Sequence, residues 1–597
     1  MHPALIFFAG AVLVPLVKGR SQKALIVLVP LAALAGSLLT RTRVEWLFPF
    51  LGFVVTPFHA DRLSLFVERI FLLSALLIIL YSLHVEEDAH HIASFLYIGS
   101  SLGVVFAGDF VAFFVFWKLL SIVPAVLIWL KRDQASLKAG FAYLAMHLTG
   151  GGIMLVGILL HFSATGSMEL TGLAGIPLAL VLTGVGFKAA FIPVHTWLPD
   201  AYPKASYTAS VFLSAFTTKA AVYALARLFS GVGAVAYMGG VMGLYGVIWA
   251  LRQSDGRKLL SYHIISQVGY MVAAIGIGTR LGVDAGLSHV WNHILYKALL
   301  FMCMGAVIYR TGRQDLSELG GLLRKMPITT ATCVIAALSI SGVPLFNGFV
   351  SKAMIYEATG GQAVLYWMLK LTSAGTFLSF CKFTYFGFLR KKEIQAREAP
   401  ATMTIPMVIM ASLCILGGLY PALLTGILPH QNRLSVFTPE KLLDSLVVFG
   451  AGGLAFRLGV KVLEPHPRET RDFDYLYLAM ARGFLWFWRN PSVALASLAD
   501  AAGAKVLRVL AVSVGFLGTL LSPVPPAAVD RWRLRAEQAA GRGQERRMLV
   551  TYGPPRVEVR SMEAALFLVA AMLSLLLLYV AMGHLTHVSP WLPAALP

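Results

Sequence analysis

Lys188, Lys219, Lys297 and Lys352 each lie inside a long apolar segment, in GVGFKAAFIPV, SAFTTKAAVYAL, NHILYKALLFM and FNGFVSKAMIY. A cation near the bilayer centre costs about 2.5–3.5 kcal/mol on insertion scales, so its default meaning is an ion or proton pathway. One lysine of this kind can snorkel to a headgroup or rest on a carbonyl. Four of them, with two histidines beside the third, do not fit that explanation.

His289, His293 and Lys297 fall at i, i+4 and i+8, so they line one helix face over about 12 Å of rise. Imidazoles titrate near neutrality and both donate and accept protons, so a row of them ending in a lysine suits a proton relay. The same His-x-x-x-His spacing is open to two other meanings. It could hold a metal, although no third ligand is apparent, or it could be a structural pair bonded to carbonyls. Lys188 and Lys219 lie in adjacent segments joined by HTWLPDAYPKASYT. A lysine in a dry site can be switched between charged and neutral forms by its neighbours, which stepwise proton transfer requires. A purely structural lysine there would need a permanent carboxylate. Glu68 and Glu357 are the few candidates, and both fall close to expected helix ends.

The elements that must hold these residues are membrane helices. The chain has 597 residues, 58% of them hydrophobic and 13% charged, and apolar runs near 20 residues recur throughout. The first run, ALIFFAGAVLVPLV, lacks a basic flank and a cleavage site, so it is expected to be a membrane helix. Fourteen core spans are expected, at about 3–17, 24–40, 63–84, 92–108, 110–131, 139–162, 172–197, 205–229, 232–252, 259–280, 284–309, 327–356, 362–390 and 402–425. Alternate loops then carry eighteen basic residues on one side and five on the other. The positive-inside rule therefore puts the amino terminus outside an inner, cytoplasmic membrane crossed many times. The net charge of +20 sits largely in these loops, so nucleic acid is not an expected partner.

Prolines interrupt the segments that carry two of the lysines: Pro193 follows Lys188, and Pro344 precedes Lys352. Broken helices at corresponding places in two halves point to a transport site, because the freed backbone groups can bind water or ions. A packing kink is the bland alternative. The expected fold is thus all-α and polytopic, with about 14 core transmembrane helices in two inverted repeats containing broken helices. A C-terminal extension adds two or three apolar or interfacial helices, at 443–460, 499–521 and 561–584, with an aromatic and arginine-rich surface stretch at 475–490. The expected divisions are 1–91, N-terminal helices; 92–230 and 231–400, two antiporter-like halves; 401–460, further helices; and 461–597, a basic extension that also suits anionic lipid. Four scattered cysteines without a CxxC pair give no support to an iron–sulfur cluster, a zinc site or a disulfide framework, and no cofactor is expected.

The block from about 108 to 357 resembles the antiporter-like subunits shared by Mrp-type cation/proton antiporters, respiratory complex I and membrane-bound hydrogenases, including formate hydrogenlyase. The resemblance rests on FFVFWKLLSIVPAVLIW, GFKAAFIPVHTWLPDAYPKAS, FTTKAAVYALARLF, DGRKLLSYHIISQVGYM, HVWNHILYKALLFM and SGVPLFNGFVSKAMI, in that order. The D-type branch of the Mrp antiporters and its hydrogenase relatives look closest. The resemblance implies a fourteen-helix core and a proton path. In it Lys188 is the lysine of a broken seventh helix and Lys219 the connecting residue of the eighth. His289, His293 and Lys297 form the central relay, and Lys352 is the terminal group of a broken twelfth helix. Asp255 and Lys258 match a structural loop pattern before the tenth helix.

One position departs from the family. Where the family has a glutamate in a fifth-helix FWE motif, this chain reads Phe116, Trp117, Lys118. Two lysines in place of an ion pair cannot both be comfortably charged in a low dielectric. One stays neutral, or another helix or subunit brings an acid, or this half-channel does not pump in the family's manner. The resemblance implies a proton-translocating subunit, exchanging protons for sodium or not, among homologous antiporter-like and small membrane subunits. A hydrogenase- or dehydrogenase-type peripheral arm is a further expected partner. The chain has no redox motif of its own, so it would be an enzyme only as part of an oxidoreductase complex. The alternatives are a non-pumping scaffold or coupling subunit, and a part of an inorganic-carbon uptake complex.

Overall fold

The structure, a computed structural model, describes residues 2–466 except 41, 43, 51, 52, 433 and 434, and scattered positions between 472 and 486. The chain divides into two compact units, and the second, Arg471–Leu568, is described only at those scattered positions. There the Phe473 N–H donates to Asp472 Oδ1 at 2.6 Å. The expected helices at 499–521 and 561–584, and most of the 475–490 stretch, lie outside the described residues.

The first unit opens with α1 (Pro3–Leu13) and α2 (Gly19–Leu39). A two-stranded antiparallel hairpin, β1 (Val44–Phe50) and β2 (Phe53–Ala60), leads into α3 (Arg62–Ser82). Next come α4 (Asp88–Phe106), α5 (Phe110–Trp129) and α6 (Gln134–Thr165). A broken pair follows, α7 (Gly175–Ala189) and α8 (Trp197–Ala201), then α9 (Tyr207–Ala215) and α10 (Thr217–Leu228) in near-continuous succession. The chain goes on through α11 (Gly233–Leu251), α12 (Gly256–Ile277) and α13 (Arg280–Thr311). A single turn, α14 (Leu322–Lys325), precedes a second broken pair, α15 (Pro327–Ser341) and α16 (Asn347–Ala358). Last are α17 (Ala363–Thr384), α18 (Ala401–Leu419), the turn α19 (Ala422–Thr425) and α20 (Pro439–Gly459).

Twelve helical segments among the described residues are long and apolar enough to cross a membrane, α9 and α10 counting as one. Pro3–Leu16, Gly175–Ala189 and Pro327–Ser341 are shorter apolar helices. Every one of the fourteen expected core spans meets a helix or a helix pair, and 443–460 meets α20. The fold is all-α and polytopic. The hairpin was not expected from the sequence. It braces the start of α5: Gly108 N–H donates to Thr56 O at 2.8 Å, Thr56 N–H donates to Asp109, and the Phe58 ring stacks on Phe106 at 4.7 Å.

The core repeats itself at a fixed interval. Asp109 caps α5 by accepting from Ala112 N–H at 2.7 Å, and Asp255 caps α12 by accepting from Arg257 and Lys258 N–H at 2.8 and 3.0 Å. Helices α6 and α13 are both 32 residues long, and they end at Gly166 (φ 68°) and Gly312 (φ 69°). An isolated antiparallel backbone bridge joins Asp109 to Glu169, and another joins Asp255 to Asp315. In each case the second feature comes 146 residues after the first. Five crossings separate α5 from α12, and an odd number turns the second repeat over relative to the first. The breaks also correspond, since α7 ends at Ala190 (φ 62°) and α15 at Gly342 (φ 85°), both left-handed. Pro193 and Pro344 lie inside them.

Candidate functional site

The long helix α13 supplies the centre of the site. His289, His293 and Lys297 are all fully buried on it. His289 is well held: its Nδ1 lies 2.9 Å from Ser351 Oγ on α16, and its Nε2 lies 3.2 Å from both Gln267 Oε1 on α12 and Tyr296 Oη. Neither ring nitrogen of His293 has a hydrogen-bond partner among the described residues, and Lys297 Nζ has none either. Lys297 Nζ lies 5.8 Å from the Phe380 ring centre, and the buried His263 of α12 packs on that ring at 4.8 Å. His263 too has no hydrogen-bond partner among the described residues. Buried polar groups are nearly always paired, so several unpaired cation-capable groups beside one another mark a site rather than a packed core.

Lys219, fully buried on α10, donates to Ser214 O. It interacts electrostatically with His293 and Lys297, and His263 does so with Lys297 and Lys352. Lys352 on α16 donates to Ser341 O at 3.0 Å and Ser373 Oγ at 3.3 Å, with its Nζ 5.2 Å from the Tyr270 ring centre. Gly342, where α15 stops, leaves room for it: a Cβ there would stand 2.8 Å from Lys352 Cδ. The structure therefore gathers Lys219, His293, Lys297, His263 and Lys352 into one succession.

Lys188 belongs to a second cluster. It donates to Ser121 Oγ at 3.0 Å and Leu120 O at 3.3 Å on α5, and its Nζ lies 4.9 Å from the Trp117 ring centre. It interacts electrostatically with Lys118 and with His147 of α6. His147 is buried between the Tyr143 and Trp197 rings, 4.2 and 4.4 Å away, with no hydrogen-bond partner among the described residues. Half-buried Lys118 donates to Leu148 O at 3.5 Å. It lies along the same side of α5 as the exposed Val115, Leu119, Ile122 and Val126.

The 146-residue interval relates the two clusters. His147 stands where His293 stands, and Gly151 stands where Lys297 stands. A Cβ on Gly151 would lie 2.6 Å from Lys118 Nζ, so the ammonium from α5 fills the place on α6 that Lys297 holds on α13. Sequence reasoning missed His147 and His263. The interval, once fixed by the two aspartate caps, would have found the first.

Carboxylates are engaged elsewhere. Buried Glu68 accepts from Ser37 Oγ at 2.8 Å, Asp284 from Asn432 Nδ2 at 2.9 Å, and Asp61 accepts from both terminal guanidinium nitrogens of Arg227 at 2.5 and 3.0 Å. Glu357 pairs with Lys441 at 3.1 Å. Among the described residues, none of the four lysines singled out from the sequence forms an ion pair with a carboxylate. Asp255 and Lys258 serve the loop: Asp255 Oδ2 accepts from Gln314 Nε2 at 2.8 Å while Oδ1 caps α12.

The family described as NADH:quinone oxidoreductase/Mrp antiporter, transmembrane, matches residues 107–379. The uncharacterised protein MJ1309 of Methanocaldococcus jannaschii is 34% identical over 358 residues, covering 55% of this chain and 74% of its own. Hydrogenase-4 component B of Escherichia coli is 27% identical over 500 residues, covering 74% and 72%. A chain of the membrane-bound sulfane sulfur reductase, an archaeal respiratory membrane complex, superposes with a TM-score of 0.67 at 24% identity, over 86% of this chain and 99% of that one. The protein belongs to the antiporter-like membrane subunit family of Mrp, complex I and hydrogenase-type assemblies, and it is a multi-pass membrane protein.

Proposed function

We propose that this subunit carries protons across a cell membrane within a larger complex, along Lys188, Lys219, His289, His293, Lys297 and Lys352. His147 and His263 are added by their positions. The carrying observation is the fully buried Lys297 and His293, which have no hydrogen-bond partner among the described residues. A buried cation without a carboxylate is held charged or neutral by its neighbours' charges, so charging one lysine drives the proton off the next. Lys219 beside Lys297, and His263 between Lys297 and Lys352, are arranged for such alternation. Protons would be driven by a partner's redox chemistry or exchanged for sodium. The basic loops put the amino terminus outside. Homologous membrane subunits and a peripheral hydrogenase- or dehydrogenase-type arm are the proposed partners.

Lys118 favours a second reading. With a base in place of the usual acid, the first half would couple or support neighbouring subunits without conducting. Ion-driven pH changes in inverted vesicles carrying the native complex decide between them. Loss of proton movement in Lys188→Ala at matched expression supports conduction through both halves. Unchanged transport in that variant hands the first half to the scaffold reading.

A further inference from the structure

Helix α20 lies beyond the matched family segment and is built inside out. Its outward face carries Leu443, Leu446, Val447, Leu454 and Leu458, all exposed, whereas Glu440, Lys441 and Asp444 turn toward α16 and α17. Its contacts with the core include Lys370 paired with Asp444, Glu357 with Lys441, and Gly452 against Phe377. In a membrane, charged side chains on a spanning helix face the bundle interior or a water-filled space.

Such a space is present. A cavity of about 250 Å³ is lined by Gly342, Lys352, Tyr356, Lys370, Asp444 and Phe449, among others. Lys352, only 3% exposed, lies at its inner side, while the Asp444 side chain is 44% exposed at its mouth. Between them Lys370 Nζ stands 4.1 Å from the Tyr356 ring centre. Its charged and hydroxyl side chains and its size suit several waters.

We infer that the cavity between α16, α17 and α20 is an aqueous access site for Lys352, taking water and hydronium, with Asp444 as its proton-relaying carboxylate. Charged Lys352 gives a proton to water, leaving a neutral amine and a hydronium. Asp444 accepts that proton and passes it to solvent, and the reverse sequence recharges the lysine. Lys370 is a positioning residue that holds the Asp444 carboxylate over the cavity. The relay step rests on the proposed proton path; the aqueous access does not.

Two measurements separate these. Val448→Cys, on the cavity wall, and Val447→Cys, facing outward, are treated in vesicles of both orientations with a membrane-impermeant cationic methanethiosulfonate, over the wild-type background. The expected result is labelling of Val448→Cys from one side only and none of Val447→Cys. Equal labelling of the two, or no labelling of Val448→Cys, overturns the access site. For the relay, Asp444→Asn is expected to lower proton transport at least about tenfold, and Asp444→Glu to restore most of it. Normal transport in Asp444→Asn, with transport abolished in Lys352→Met, overturns the relay alone. Normal transport in both variants removes the proton path together with the relay, while the labelling result still decides the access site.

Discussion

Replacing Lys297 by methionine should stabilise the protein while stopping transport. The ammonium is fully buried, has no hydrogen-bond partner among the described residues, and gains only a ring face 5.8 Å away. Removing a cation from the membrane interior returns about 2.5–3.5 kcal/mol. The lost ring contact takes back about 0.5–2 kcal/mol. Methionine has similar length and no charge, so packing is nearly kept. The net gain is about 0.5–3 kcal/mol, read as a raised unfolding midpoint of the purified complex by scanning fluorimetry. Lys219→Met is the internal control, because it strands the Ser214 carbonyl and gives back about 1–3 kcal/mol of any gain. Proton transport by Lys297→Met should fall by about a hundredfold or more, the lower end of what a positioned proton-transfer group contributes. A lowered midpoint, corresponding to a stability loss of more than about 1 kcal/mol, would refute the reasoning, since it would mean that Lys297 is held by a carboxylate in the assembled complex.

Gly151→Ala should be nearly neutral for stability yet displace Lys118, because the new methyl meets only the far end of that side chain. Gly184→Ala, whose Cβ would stand 2.6 Å from the Gly150 carbonyl oxygen, should cost about 1–3 kcal/mol. Parallel unfolding and transport measurements check both, and equal destabilisation of the two would undo the placement of Lys118. In the loop between α5 and α6, the hydrogen bond from Lys131, with Ser136 N–H, holds the Asp133 carboxyl down at about 2. Its contribution to stability is complete above the ordinary carboxylate range and is lost as pH falls through about 2. The acid-unfolding profile of Asp133→Asn should therefore be flatter over that window than the wild-type profile.

Membrane spans were legible because lipid demands about twenty apolar residues in each crossing. The breaks were legible because Pro193 and Pro344 sit beside lysines. The hairpin at 44–60 was not, since its apolar and aromatic residues lie between two long apolar runs and carry little contrast. His147 and His263 escaped for another reason. A single histidine in an apolar helix acquires meaning only from the helix it faces, and that depends on how α6 meets α8 and how α12 meets α17. Asp444 was hidden inside the apolar segment at 443–460, expected either to span or to lie along the interface. Only the packing of α20 shows that its charges turn inward. The expected partition of the chain into halves at 92–230 and 231–400 remains a proposal, and the aspartate-capped interval gives it a measurable basis.

The overturned second repeat also has an electrical consequence. Each 32-residue helix, α6 and α13, carries a macrodipole equivalent to roughly half a charge of opposite sign at its two ends. Five crossings separate them, so the two dipoles point in opposite directions along the membrane normal and largely cancel. A transmembrane voltage therefore exerts little net torque on this pair of long helices. A charge that crosses the full field gains or loses about 2.3 kcal/mol per 100 mV, so the voltage acts on whatever moves through the scaffold and leaves the scaffold at rest.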